Sequence, residues 1–253
     1  VAKSSRSLPS ELEVAARLPL GVPDFSDNGP LWKVSIGHVL PPEMEEADAG
    51  EPAGTGPLLP VSWQRMRHDA DLMDESLDPQ MVVLTDALAL ASRPERLVEA
   101  VLTLKQRFPG ALLWTPGLGG PDNLALLVWM GVDVFDLARS TRASAAGALL
   151  DRGGPRRPDA ALGEGHEMLH QVQAWQGALA EVRQHLEAGS LRTVVDRQAL
   201  VAPSTVAQLR HHDAMVSGSS GVRSLTVKAD RRFLCLSDTA LHDPVVLAWE
   251  TFL

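Results

Sequence analysis

An α/β fold of parallel β-loop-α-β units is predicted by three features of this 253-residue chain. From Met81 onward, short apolar runs of strand length alternate with runs of helical period. Turns rich in Gly or Pro separate them. A hydrophobic content of 45% is enough to bury a substantial core.

In chain order, residues 1–60 read as an N-terminal segment in which Val34 to Leu40 forms a strand. Its end, residues 41–60 (PPEMEEADAGEPAGTGPLLP), is rich in Pro, Gly and acids and reads as a flexible surface loop or linker. Met81 to Leu84 begins the α/β run, and Pro94 stands at the start of a helix over Arg96 to Arg107. Ala111 to Trp114 is a buried strand that feeds a tight turn at Pro116 and Gly117. Asp122 or Asn123 can cap the helix that follows, whose Leu124, Leu127, Val128 and Met130 recur at near-helical spacing until Gly131 stops it. Val132 to Phe135 then forms a second strand that delivers Asp136 at its end. Loops at the carboxyl ends of parallel strands build binding sites, so Gly117, Gly119 and Asp136 should lie near one another. A loop aspartate most often does no more than cap a turn.

Further on, Met168, Val172, Trp175, Leu179, Val182 and Leu186 form the packing stripe of one long helix. Pro203 opens another helix to about His211. Val222 to Leu236 carries two alternating runs suited to a hairpin or edge strands. These divide the chain into 1–60, an α/β domain at 61–200, and a C-terminal appendix at 201–253. No internal repeat is visible. The chain starts at Val1 and stops in the apolar run PVVLAWETFL, which fits a fragment of a longer protein.

Composition excludes several classes. No apolar stretch is long enough for a membrane span and no charged-then-apolar leader opens the chain, so a globular, cytoplasmic protein is expected. A single cysteine, Cys235 between Leu234 and Leu236, excludes a disulfide framework and reads as a buried reduced thiol. A net charge of -9 argues against an unaided grip on nucleic acid. The basic patches Arg152 to Arg157 and Lys228 to Arg232 read as solvated loops, and His211, His212 and Asp213 as surface residues, since adjacent histidines on a helix point to different faces.

His166, Glu167 and His170 spell H-E-x-x-H, the zinc-peptidase pattern, which needs a third ligand. Glu187 is the natural candidate, but the same helix continues through it and would set it about 25 Å from His170. The zinc-peptidase reading fails on that distance.

The Gly-rich unit resembles the tRNA-guanine transglycosylase family. That family carries a Gly-x-Gly-x-Pro-Asp turn, a helix, Gly-[Val/Ile]-Asp-x-Phe-Asp and often Thr-Arg. Gly117, Gly119, Pro121 and Asp122 match the first part, and Gly131, Val132, Asp133, Phe135, Asp136, Thr141 and Arg142 the second. VVLTDALALASRPERLVEAVLTLKQRFPGALLWTPGLGGPDNLALLVWMGVDVFD is similar to the archaeosine synthase branch along its whole length, as is the long helix beyond it, so the likeness covers about residues 81 to 253.

The resemblance implies a transglycosylase-type (β/α) barrel. With only about 150 residues before the closing helix, the barrel would be shortened or partial, as a full one needs ~250. It implies that Asp136 is the catalytic carboxylate, a nucleophile toward a ribose anomeric carbon. Gly117 and Gly119 would admit the flat deazaguanine ring, Pro116 would replace a stacking methionine, and Arg142 would meet phosphate. The departures are as specific. The family's zinc site needs three cysteines and a histidine; the segment that should carry the cysteines is reduced to DRGGPRRPDAAL and only His166 beyond it survives, so no metal and no other cofactor is expected. The family's Asp-Ser-Gly-Gly turn has no match, so base exchange does not carry over to this chain alone.

Two function classes follow. In the first, the chain belongs to a tRNA-modifying transferase of archaeal type. It binds a deazaguanine nucleotide of tRNA for transfer of an amino acid, lysine, to its nitrile, and works with a C-terminal RNA-binding domain or a partner subunit. In the second, it is a degenerate, non-catalytic subunit that positions tRNA or a partner protein. A homo-oligomer is compatible with either, and no membrane partner is expected.

Overall fold

The computed structural model describes residues 58–68, 77, 79, 81–157, 167–218 and 238. Three parallel strands, β1 (Leu58–Val61), β2 (Met81–Leu84) and β3 (Leu112–Trp114), form a sheet in the order β1-β2-β3. Leu58 pairs with Met81, and Met81 with Leu112. Helix α1 (Trp63–His68) follows β1, while α2 (Ala87–Leu90) and α3 (Pro94–Arg107) connect β2 to β3. β2 is buried along its whole length, as a parallel strand covered on both faces must be.

The first strand corrects the expected linker. The last three residues of the 41–60 stretch belong to β1, so the α/β run begins before Met81. Proline content hid it: Pro60 lacks a ladder donor, and among the described residues β1 is an edge strand, where a proline is tolerated. Residues 1–57, with the expected strand Val34 to Leu40, lie outside the described residues, as do the Val222 to Leu236 runs, Cys235 and the Lys228 to Arg232 patch.

Helix α3 starts with Pro94 in its first turn, as expected, and buries Leu97, Val98, Val101 and Leu104. Helix α4 (Leu124–Met130) is buried all round and ends at Gly131. The expected strand Val132 to Phe135 is reduced to one parallel bridge between Trp114 and Val134. Asp133 is the reason: its Oδ2 accepts from the Leu113 amide at 2.9 Å, so a side chain takes the donor that a longer ladder would use. Lys105 Nζ pairs with the same oxygen at 2.9 Å. The described strands form an open sheet and not a closed barrel.

Helix α5 (Ala138–Ala145) leads into a hairpin of β4 (Leu149–Asp151) and β5 (Gly154–Arg156), where the sequence suggested a solvated basic loop. Its arginines are engaged: Arg156 Nε pairs with Asp151 at 2.6 Å and Arg152 with Glu181 at 3.0 Å. The long helix α6 (Glu167–Ala188) presents Trp175, Leu179, Val182 and Leu186 to the core, as its stripe predicts. Helices α7 (Leu191–Ala199) and α8 (Pro203–Gly218) complete the described fold; α8 packs on α3, and α7 on α4. No described helix is long and apolar enough to cross a membrane.

Candidate functional site

The candidate residues meet in the loop that joins β3 to α4. Every residue from Ala111 to Met130 is buried, Pro116, Gly117 and Gly119 among them. Gly117 adopts a φ of +68°, a left-handed conformation that glycine enters without steric cost. Its amide donates to Asp136 Oδ2 at 2.8 Å, and Trp114 Nε1 donates to the same oxygen at 3.0 Å. Asp136 Oδ1 accepts from the Ala138 amide at 2.9 Å. One carboxylate therefore ties the end of β3, the Gly-rich loop and the start of α5.

Asp136 is 4% exposed. Burial pushes its carboxyl up from the ordinary aspartate value, while the Gly117 and Ala138 amides, the Trp114 indole and the Arg142 charge pull the other way. Arg142 Nη2 donates to the Gly117 carbonyl at 2.9 Å, so Gly117 is held at both its amide and its carbonyl. Gly119 serves packing: a Cβ there would lie 3.0 Å from Phe135 and 3.1 Å from Trp175. Those rings stand 6.2 Å apart between centroids, and Trp175 Nε1 donates to Ser140 Oγ at 2.8 Å. The structure thus brings Gly117, Asp136 and Arg142 into direct contact and sets Gly119 against the core aromatics beside them.

Neither expected cap acts on α4 itself. The Asn123 side chain makes no cap bond; its Oδ1 accepts from the Gly120 amide at 2.7 Å and its Nδ2 donates to the Leu118 carbonyl at 3.2 Å. Asp122 forms a bidentate pair with Arg139, both bonds at 2.7 Å. The cap comes from α7: Gln198 Oε1 accepts from the Ala125 amide at 2.9 Å, and its Nε2 donates to the Pro121 carbonyl at 3.2 Å. Sequence reasoning missed Gln198, Trp114 and Arg139. Of these, only Trp114, at the strand end before the turn, carried a local signal.

A second buried polar cluster joins α4, α7 and α8. Arg192 donates through two nitrogens to Asp213, both at 2.8 Å, and through Nε to Asp196 at 3.1 Å. Its guanidinium lies 5.6 Å from the Trp129 ring centroid. His212 and Asp213 are buried in this cluster, which corrects their expected surface position. The α8 face that packs inward carries them, and Arg192 supplies the countercharge that makes burial tolerable. His211 is half-buried, on a different face from His212.

Among the described residues, no three His, Cys, Asp or Glu side chains gather as a metal site. His170 and Glu187 lie on the one helix α6, as the sequence required, and His166 falls outside the described residues. A reacting atom must come within about 3 Å of its nucleophile, and Asp136 is 4% exposed with a protein donor on each oxygen, so a ligand reaches it only if the loop opens.

No protein-family model matches the chain. It is 27% identical over 194 residues to archaeosine synthase subunit alpha of Methanosarcina acetivorans, a match that takes in 67% of this chain and 29% of that protein. The likeness supports an archaeosine synthase-like family. The chain spans under a third of the length of this archaeosine synthase subunit.

Proposed function

We propose that this chain is the transglycosylase-like part of a tRNA-modifying protein of the archaeosine type, and that it holds and positions rather than reacts through Asp136. The observation that carries this reading is the engagement of both Asp136 oxygens by three protein donors in a carboxylate only 4% exposed. The likeness to archaeosine synthase subunit alpha supports the tRNA connection, with tRNA bound by the complete protein in the cytoplasm. The strand order β1-β2-β3, extended by Val134 beside Trp114, runs in chain order without the reversal of a doubly wound sheet. That order supports a shortened (β/α) barrel.

The other reading makes Asp136 a catalytic carboxylate beside a deazaguanine held by Pro116, Gly117, Gly119 and Arg142. It is favoured by the loop's place at the carboxyl ends of parallel strands, where barrel chemistry sits. It requires the three bonds to Asp136 and the Arg142 bond to Gly117 to open for the ligand. The two readings separate in the complete protein carrying Asp136→Asn, assayed for lysine incorporation into precursor-bearing tRNA beside thermal unfolding. The positioning role predicts a lower Tm with activity kept by the folded fraction at low temperature. Lost activity at an unchanged Tm would overturn it.

A further inference from the structure

A groove of 840 Å³ runs between the start of α3 and one face of α8, away from the Asp136 loop. Ala207, Arg210, His211 and Ala214 line one wall at i, i+3, i+4 and i+7, a single helical face on which two alanines leave space between the long side chains. Arg93 and Arg96 line the other wall, with Glu95 between them. All three arginines are exposed. Arg210 pairs with Asp238 at 2.8 Å, while Arg93 and Arg96 carry no ion pair among the described residues.

We propose that this groove takes the sugar-phosphate backbone of a structured RNA, a proposal that rests on the tRNA-modification reading above. Arg93 and Arg96, with no ion pair among the described residues, face the Asp238-paired Arg210 across one groove in a chain of net charge -9, so a positive excess gathers locally against the overall charge of the molecule. Guanidinium forks match phosphate oxygens in geometry as well as in charge. The lining holds no Phe, Tyr or Trp ring, and its one imidazole, His211, is half-buried, which favours backbone contact over recognition of a base or a free nucleotide. Glu95 sets a sign: it repels the same phosphates that the arginines attract.

The test is fluorescence anisotropy of the 253-residue chain with an unmodified tRNA transcript across a series of salt concentrations. The double variant Arg93→Glu/Arg96→Glu should bind about tenfold more weakly at low salt, with the slope of log K against log salt reduced by about two. Glu95→Gln should bind a few-fold more tightly. Arg157→Glu, an exposed charge reversal outside the groove, should change affinity less than twofold. No binding by the unaltered chain, equal losses from Arg157→Glu and the double variant, or competition by polyglutamate as strong as by RNA would overturn the groove. If the double variant keeps full tRNA affinity, the groove falls while the tRNA-modification reading stands. If the double variant loses tRNA and an unrelated RNA hairpin alike, and the complete protein modifies no tRNA, the groove stands and that reading falls.

Discussion

Asp136 and Asp213 are both buried carboxylates, yet one is held by neutral N–H donors and the other by a full countercharge. Asp136 accepts from two backbone amides and an indole. Asp213 accepts a bidentate guanidinium from Arg192, which also reaches Asp196. The first arrangement spends a charge on fixing a loop shape. The second spends it on clamping α7 to α8 beneath Trp129. The difference shows up in what each loses when one partner is removed.

The largest effect should come from Arg192→Met, which removes the guanidinium that Asp213 and Asp196 share in the buried cluster. Urea unfolding should show a loss of about 3–5 kcal/mol, and adding Asp213→Leu should recover part of it, because replacing a buried pair costs less than breaking one. Asp136→Asn should cost less, about 1–3 kcal/mol. The amide can turn its oxygen to Trp114 Nε1 and the Gly117 amide, leaving only the Ala138 amide facing an NH₂ group. If Asp136→Asn proves as costly as Arg192→Met, the contrast between dipoles and countercharge is wrong. Gly119→Ala should cost about 1 kcal/mol, since its new methyl meets Phe135 and Trp175 at 3.0 and 3.1 Å and the rings must shift.

The smallest effect is a pH dependence. The folded-state pKa of Asp136 lies above the ordinary 3.8, so the folded chain holds this proton more tightly than the unfolded one. Its contribution to stability is fully present below 3.8 and is lost as pH rises through the raised folded-state value. Asp136→Asn lacks that slope. Parallel urea titrations of the two proteins should therefore show their stability difference shrinking as pH rises through that window, and a difference that grows with pH would contradict the burial argument.

The Asp136 loop was largely legible in the sequence because its parts are local. Gly117, Gly131 and Asp136 lie within one local stretch of chain, where only the Trp114 bond to Asp136 was missed, and Pro94 announced α3 in the same way. What escaped was long-range. Gln198 reaches the Ala125 amide across 73 residues, and Gln171 fixes the hairpin by accepting from the Leu150 amide at 3.0 Å. Nothing around either glutamine marks it as buried. His212 and Asp213 were read as surface residues for the same reason, since Arg192, which pairs with Asp213, and Trp129, which faces His212, belong to other helices. β1 was missed because Pro60 and the Pro- and Gly-rich sequence before it read as a linker, and the β4–β5 hairpin because its arginines look solvated until Asp151 and Glu181 are set beside them.

The central claim is that protein donors, and not a ligand, occupy the Asp136 carboxylate. Amide hydrogen exchange of Gly117 and Ala138 tests it most directly, since both amides donate to that group. The account predicts that in the unaltered chain both exchange only through large-scale opening, as slowly as amides of the buried strand β2, and that Asp136→Asn speeds exchange at Ala138 more than at Gly117. Exchange of the Gly117 amide at the rate of an unprotected loop would contradict it, because Asp136 would then be free to receive a substrate.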